Sequence, residues 1–224
     1  MKDRALYYVR QLSRRYPALG PCVPDLEEAI DMILRSFRRG GKLLICGNGG
    51  SAADSQHIVG ELMKGFVLRR NLNEGMRAQM AADLPDGEFI ARHLQGALPV
   101  LSLVGETALQ TAFANDETPV LGFAQQVWGY GGEGDVLLAI TTSCNSENVL
   151  YAAETAHFKG LKVIGLTGET GGRLAPCCDV CVRVPATEPF EVQEYHLPVY
   201  HALCLAIEAE VFGEPEAAQP IHHS

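Results

Sequence analysis

The chain is predicted to fold as a single α/β domain, with a parallel sheet covered by helices on both faces. Three observations predict this. Short apolar runs at 43–46 (LLIC), 99–104 (PVLSLV), 135–140 (DVLLAI), 162–166 (KVIGL) and about 180–184 alternate with helical stretches. No hairpin signal joins one run to the next, and strands buried on both faces read as continuously apolar. Two of the runs end in small polar turns that open helices, Gly47 to Ser51 and Thr141 to Ser146. Such sheets gather ligands at the carboxyl ends of their strands.

Bulk properties narrow the function. The 224 residues suit one sizeable domain, expected to span 1–214 with its N-terminal helices (1–40) included and a flexible tail at 215–224. With 47% hydrophobic and 20% charged residues, a full core is expected. The formal net charge is −9, and basic residues cluster only in pairs such as Arg14-Arg15, Arg38-Arg39 and Arg69-Arg70. Nucleic acid is therefore not an expected partner, whereas a small anion in a local pocket is allowed. No apolar run approaches the roughly 20 residues that span a bilayer. The N-terminus (MKDRALYYVRQ) lacks a signal-peptide core, so no membrane partner is expected and the cytoplasm is the expected compartment. Of seven cysteines, Cys178 and Cys181 form a CxxC beside Cys177. No second ligand pair follows, so they are read as small residues around a buried strand, without disulfides.

Taken in order, helices are expected at about 5–15 and 24–39. The second opens on Pro24 with Asp25, Glu27 and Glu28 in its first turn. It carries Ile30, Met32, Ile33, Leu34 and Phe37 as a core stripe and stops at Gly40-Gly41. After the first strand a helix opens at Ser51 and runs through Leu62, Met63 and Phe66. The less regular segment 67–96, with a turn at Pro85-Asp86-Gly87 and a short helix near 88–94, reads as a lid or an oligomer contact. Helices follow at 107–114, broken by Asn115-Asp116, at 119–128, and after the second polar turn through Tyr151 to Lys159, capped by Gly160. A last amphipathic helix is expected at 191–212, with a potential kink at Pro198.

The chemistry concentrates in three places. Strand, Gly47-Asn48-Gly49-Gly50 turn and helix N-terminus present backbone N–H groups to an anion. On that helix His57 and Glu61, four apart, share a face. Thr141, Thr142, Ser143 and Ser146 put four hydroxyls in six positions at another helix start. That is more than N-capping needs, and it forms a phosphate cradle without a Walker lysine. The final helix holds Gln193, Glu194, His196 and His201, with Gln193 and His201 eight apart on nearly one face. Imidazole, carboxylate and amide from two helices suit a divalent metal with mixed N and O ligands. A phosphate cradle beside a carboxylate and an imidazole suits aldose–ketose isomerisation, with Glu61 as base and His201 as acid or shuttle.

Together GNGGSAAD-x-QH-x3-E, TTSxNSxNV, LTG-x3-GG and VQE-x-H-x4-H, spread from about Ala5 to Phe212, resemble the SIS (sugar isomerase) domain family, most closely its phosphoheptose isomerase branch. The resemblance implies a flavodoxin-like five-stranded parallel sheet in a homotetramer with interfacial active sites. It also implies conversion of sedoheptulose 7-phosphate to D-glycero-D-manno-heptose 7-phosphate. It implies one Zn2+ per active site on His57, Glu61, Gln193 and His201, with Glu61 and His201 as catalytic base and acid. Asn48, Gly49, Gly50, Ser51, Thr141, Thr142, Ser143 and Ser146, together with Glu61 and Gln193, would contact the phosphosugar. The chain departs from the family pattern at Cys144, where glycine is usual, and at Gly105-Glu106, where Thr-Asp is usual. It also has Gly65, beside Lys64, in place of an arginine, Glu191 in place of a basic residue, and a longer excursion at 67–98. These departures keep open an isomerase for a different phosphosugar; the other alternative is a non-catalytic SIS phosphosugar-binding or regulatory protein, against which the retention of Glu61 and His201 counts. A dinucleotide enzyme is disfavoured, because the first turn lacks the GxGxxG order.

Overall fold

The computed structural model describes residues 1–213, so the tail expected at 215–224 lies outside the described residues. The strands are β1 (Leu43–Gly47), β2 (Val100–Ser102), β3 (Val136–Thr141), β4 (Lys162–Thr167) and β5 (Val180–Arg183). All neighbours are parallel, in the order β2-β1-β3-β4-β5, the doubly wound flavodoxin-like order that the resemblance implies. The chain moves outward in opposite directions from β1 and β3, and Gly47 is level with Ile140. The two small polar turns therefore leave the sheet side by side at its switch point.

The helices are α1 (Asp3–Arg15), α2 (Val23–Arg38), α3 (Gly50–Met63), α4 (Glu74–Asp83), α5 (Gly87–His93), α6 (Thr107–Asp116), α7 (Gly122–Tyr130), α8 (Glu147–Phe158) and α9 (Pro189–Phe212). Alternation along the strands builds two cores. Leu43, Ile45, Val136, Leu138 and Ile140 pack with α1, α2, α3 and α9. Leu44, Cys46, Leu137, Ala139 and Val163 pack with α7 and α8. On α8, Ala152, Ala153 and Ala156 are small enough for the helix to lie close to the sheet.

Several boundaries differ from expectation for identifiable reasons. Helix α3 stops at Met63, short of Phe66, because Lys64 is extended and Gly65 packs against the Leu68 carbonyl without space for a side chain. Asn115 and Asp116 remain inside α6, and the break falls at Glu117. The stretch expected as one helix from 119 is a 3-10 turn, Pro119–Leu121, followed by α7. Helix α9 is not amphipathic: Val192, His196, Val199, Tyr200, Leu203, Ile207 and Glu208 are all buried, and it continues through Pro198. It lies between α1 and the rest of the core, so most of its C-terminal half meets protein, while Phe190, Glu191, Glu194 and Leu197 stay exposed near its start.

The excursion forms a helical hairpin of α4 and α5. Gly87 meets the Met80 carbonyl, with no room for a Cβ. An antiparallel bridge between Asn71 and Gln95, and hydrogen bonds from Gly96 N to Arg70 O (2.7 Å) and from Gly65 N to Gln95 Oε1 (2.8 Å), close its neck. Beyond the neck α4 buries no residue, and Met76, Leu84, Phe89 and Leu94 are exposed. Among the described residues no helix is long and apolar enough to cross a membrane.

Candidate active site

The first polar turn is shaped by its glycines. Gly49 has φ +54°, which side-chain-bearing residues rarely adopt, and Gly50 lies against the Gln193 amide so closely that a Cβ would overlap it. Ser51 is buried at the start of α3. The Asn48 and Asn148 amides pair reciprocally, each Nδ2 donating to the other's Oδ1 at 2.8 Å. That pair stitches the first polar turn to the first turn of α8.

The second polar turn holds a triangle of hydroxyls. Thr141 Oγ1 lies 3.3 Å from both Ser143 Oγ and Ser146 Oγ, which are 3.2 Å apart. Ser146 occupies the N-cap position of α8 but makes no capping bond, so these hydroxyls remain available at a helix N-terminus. Thr142 stands apart, lining a small cleft with Cys144, Gly168 and Thr187. Cys144 has φ +61° and is buried. Its sulfur turns towards the Thr142 carbonyl (3.6 Å), so its extra bulk, expected beside the phosphate turn, faces inward.

The proton-transfer candidates meet between α3 and α9. His57 Nε2 lies 3.1 Å from Glu61 Oε1, and the His57 and His201 rings meet edge-on with centroids 5.1 Å apart. Glu61 Oε2 and His201 Nε2 are buried without hydrogen-bond partners. Lys64 Nζ, on an exposed side chain, is 3.6 Å from Glu61 Oε2. Burial, and then the charge of His57, holds the His201 imidazole below its ordinary value. His201 also lines a cavity of about 400 Å³ between α1 and α9, with Tyr7, Tyr8, Arg15 and Tyr16 on its wall. Gln193 is on the same side of α9, as its spacing predicts, and donates from Nε2 to Asp54 Oδ2 at 2.6 Å. Of its neighbours considered in the sequence, Glu194 is exposed and His196 is fully buried elsewhere in the core.

Four residues without a role in the sequence reading support this cluster. Asp54 is buried one turn before His57. Burial raises its carboxyl above the ordinary value, while hydrogen bonds from Tyr200 and Gln193 and the charge of His57 oppose that. Tyr200 bonds His57 Nδ1 through its hydroxyl at 2.9 Å. Arg70 and Glu208 form a buried ion pair at 2.8 Å. Arg70 donates to the carbonyls of Leu62 (2.7 Å) and Glu61 (3.0 Å), and Glu208 accepts from the amides of Phe66, Val67 and Leu68. An acid directly after the apolar run LCLAI at 203–207 was the available signal for Glu208.

The donor set suits a divalent cation. Two imidazoles, a carboxylate and an amide are assembled, and the orphaned Glu61 Oε2 and His201 Nε2 are atoms that a cation would satisfy. They stand as neighbours and not as a closed cage, since among the described residues no three His, Cys, Asp or Glu groups converge in ligand geometry. The CxxC lies away from this cluster. The Cys178 and Cys181 sulfurs both pack over Gly165 of β4, and all seven thiols are free.

Comparison with known proteins agrees with the geometry. The SIS domain model matches in two overlapping segments, residues 23–103 and 91–168. The chain is 38% identical over 208 residues to the phosphoheptose isomerase of Rhodospirillum rubrum, covering 93% of this chain and 97% of the relative. It is 40% identical over 220 residues to that of Thiobacillus denitrificans, covering 96% and 99%. Among solved structures, the Neisseria gonorrhoeae phosphoheptose isomerase is similar with a TM-score of 0.70 at 32% identity, over 92% of this chain and 96% of the other. The Francisella tularensis phosphoheptose isomerase gives 0.71 at 32% identity, over 90% and 94%. On sequence, fold and strand order alike, the chain belongs to the SIS domain family and to its phosphoheptose isomerase branch.

Proposed function

We propose that the protein isomerises sedoheptulose 7-phosphate to D-glycero-D-manno-heptose 7-phosphate by enediol proton transfer. The observation that carries the reading is that Glu61 and His201, from helices far apart in sequence, both lie against His57, each with a buried polar atom lacking a hydrogen-bond partner. The Glu61 carboxylate takes the proton from C1 of the ketose, and His201 gives a proton to the C2 oxygen, which forms the enediol. Glu61 then returns its proton to C2 as His201 recovers one from the C1 hydroxyl, leaving the aldehyde. The hydroxyls of Thr141, Ser143 and Ser146 and the N-terminus of α8 hold the phosphate, with Thr142 at the adjoining cleft. Asn48, Gly49, Gly50 and Ser51 face the sugar from the neighbouring turn. A Zn2+ held by His57, Glu61, Gln193 and His201 would polarise the carbonyl.

The active unit in this reading is a homotetramer in the cytoplasm, with the open tyrosine-lined cavity beside His201 meeting a second copy. A different phosphosugar is the second reading. It is favoured by Glu106 and Glu191, exposed acids at positions where the family pattern has other residues.

A panel of five- to seven-carbon ketose phosphates, assayed with wild type and Glu61→Gln in the presence of zinc, tests both. Turnover of the seven-carbon substrate, lost in the variant with the fold intact, is expected. Preference for a shorter sugar would move the assignment to the second reading, and no turnover of any member would sink the enzyme.

A further inference from the structure

We propose that Cys178 and Cys181 form a site of reversible oxidation, which hydrogen peroxide closes to an intrachain disulfide and small thiols reopen. The pair lies away from the proposed proton-transfer cluster, so the inference does not depend on the isomerase reading.

The backbone brings the two sulfurs together. Cys181 on β5 is level with Gly165 on β4, so its side chain stands beside a residue that has none. Cys178, three positions earlier, would face away from Cys181 in a straight strand. The chain instead bends at Asp179, and that bend is pinned to β4. The Asp179 N–H donates to the Val163 carbonyl at 2.9 Å, and its carboxylate accepts from the Val163 amide (2.8 Å) and from Lys162 Nζ (2.6 Å). His157 Nε2 lies 3.0 Å from the same carboxylate. The result is two sulfurs sharing the space over one glycine. A Cβ at Gly165 would lie 2.8 Å from Cys178 Sγ and 3.1 Å from Cys181 Sγ, so the sulfurs are at most about 6 Å apart.

Access distinguishes this pair from the buried thiols. Cys178 is half-buried and Cys181 is 9% exposed, whereas Cys22, Cys46, Cys144 and Cys204 are 3% exposed or less. Peroxide transfers one oxygen to the first thiol, giving a sulfenic acid and one water. The second thiol displaces that oxygen as another water, and the S–S bond forms. Two thiols are oxidised and one peroxide is reduced to two waters. A bridge over only two intervening residues, at the half-exposed edge of the sheet, is of the labile kind that thiols reduce. The free dithiol is the resting state.

The test treats the full-length protein with graded hydrogen peroxide under native conditions, then denatures it and caps the remaining thiols with N-ethylmaleimide. Mass spectrometry is expected to count seven caps before oxidation and five after, with seven restored by a reductant applied before capping. Cleavage ahead of Asp179 by an Asp-specific protease separates Cys178 from Cys181, so those two fragments should stay joined until reduced. Cys177→Ser should behave in the same way, whereas Cys178→Ser and Cys181→Ser should give no joined fragments. Fragmentation of the joined species reads the linkage directly in wild type, which decides the matter if a variant fails to fold. Wild type that keeps all seven caps, loses caps without joining these fragments, or joins them through any other cysteine overturns the proposal.

Discussion

Arg70 and Glu208 form an ion pair with no solvent exposure on either side chain, Nε to Oε1 at 2.8 Å. Its importance lies in what else the two groups hold. Arg70 grips the last turn of α3 through the Glu61 and Leu62 carbonyls, and Glu208 gathers three consecutive amides of the chain leaving it. The pair therefore anchors the backbone of the proposed catalytic base to α9. Arg70→Met leaves the Glu208 charge without its cation and should lower stability by about 3–5 kcal/mol. Urea unfolding of the variant measures this, and a loss below 1 kcal/mol, on the scale of an exposed pair, would refute it.

His196 gives stability a pH dependence. The ring is fully buried beside the Thr167 backbone, yet neither nitrogen has a partner in hydrogen-bond geometry. Burial pushes its pKa down to about 4 from 6.5. The unfolded chain therefore takes up this proton first as the pH falls. The contribution is fully present above about pH 6.5 and is lost towards pH 4, in total about 3 kcal/mol. Urea midpoints between pH 7 and pH 4 should fall more steeply for wild type than for His196→Leu, and parallel curves would contradict the assignment.

The hydroxyl triangle separates phosphate binding from helix capping. Ser146 makes no capping bond, so Ser146→Ala should change stability by less than the roughly 1 kcal/mol that a lost N-cap costs. The same substitution should raise KM for the phosphosugar and weaken inhibition by inorganic phosphate. A large stability loss with unchanged phosphate inhibition would return Ser146 to capping.

Cys144 sits at φ +61°, a conformation that costs an ordinary side chain about 1–2 kcal/mol. Cys144→Val adds β-branching there and should destabilise the fold clearly, whereas Cys144→Gly should stay near wild type, because relief of strain offsets the lost burial. Thermal melts of the two variants give the comparison, and equal melting temperatures would show that the turn is not strained.

Gly50 is where the first turn meets the final helix. Gly50→Ala places a methyl on the Gln193 amide and must push it away from Asp54. Turnover should fall at least about tenfold, equivalent to 1.4 kcal/mol of barrier, with little change in melting temperature. Wild-type turnover would mean that the Gln193 position is irrelevant to the chemistry.

The fold was legible because its signals are local. Continuous apolar runs mark strands buried on both faces, and the glycine and hydroxyl turns mark their carboxyl ends. His57 with Glu61, and Gln193 with His201, were legible as well, since spacing along a helix predicts a shared face. Asp54, Tyr200, Arg70 and Glu208 were not, because their roles depend on partners 139, 143 and 138 positions away. No window of sequence holds both members of such a pair. The burial of α9 is hidden from a local window for a related reason: α1, far away in sequence, packs over a side that would otherwise meet water.

The Asn48–Asn148 pair has a consequence for selectivity. Each reciprocal bond uses one of the two amide hydrogens and one of the two oxygen lone pairs, so Asn48 keeps one N–H and one lone pair, held in a fixed direction. A sugar hydroxyl, which can both donate and accept, can use both of these. A group that only accepts can use the N–H alone. The latch thus favours hydroxylated ligands over equally sized anions at this turn, leaving recognition of the phosphate to the hydroxyls one strand away.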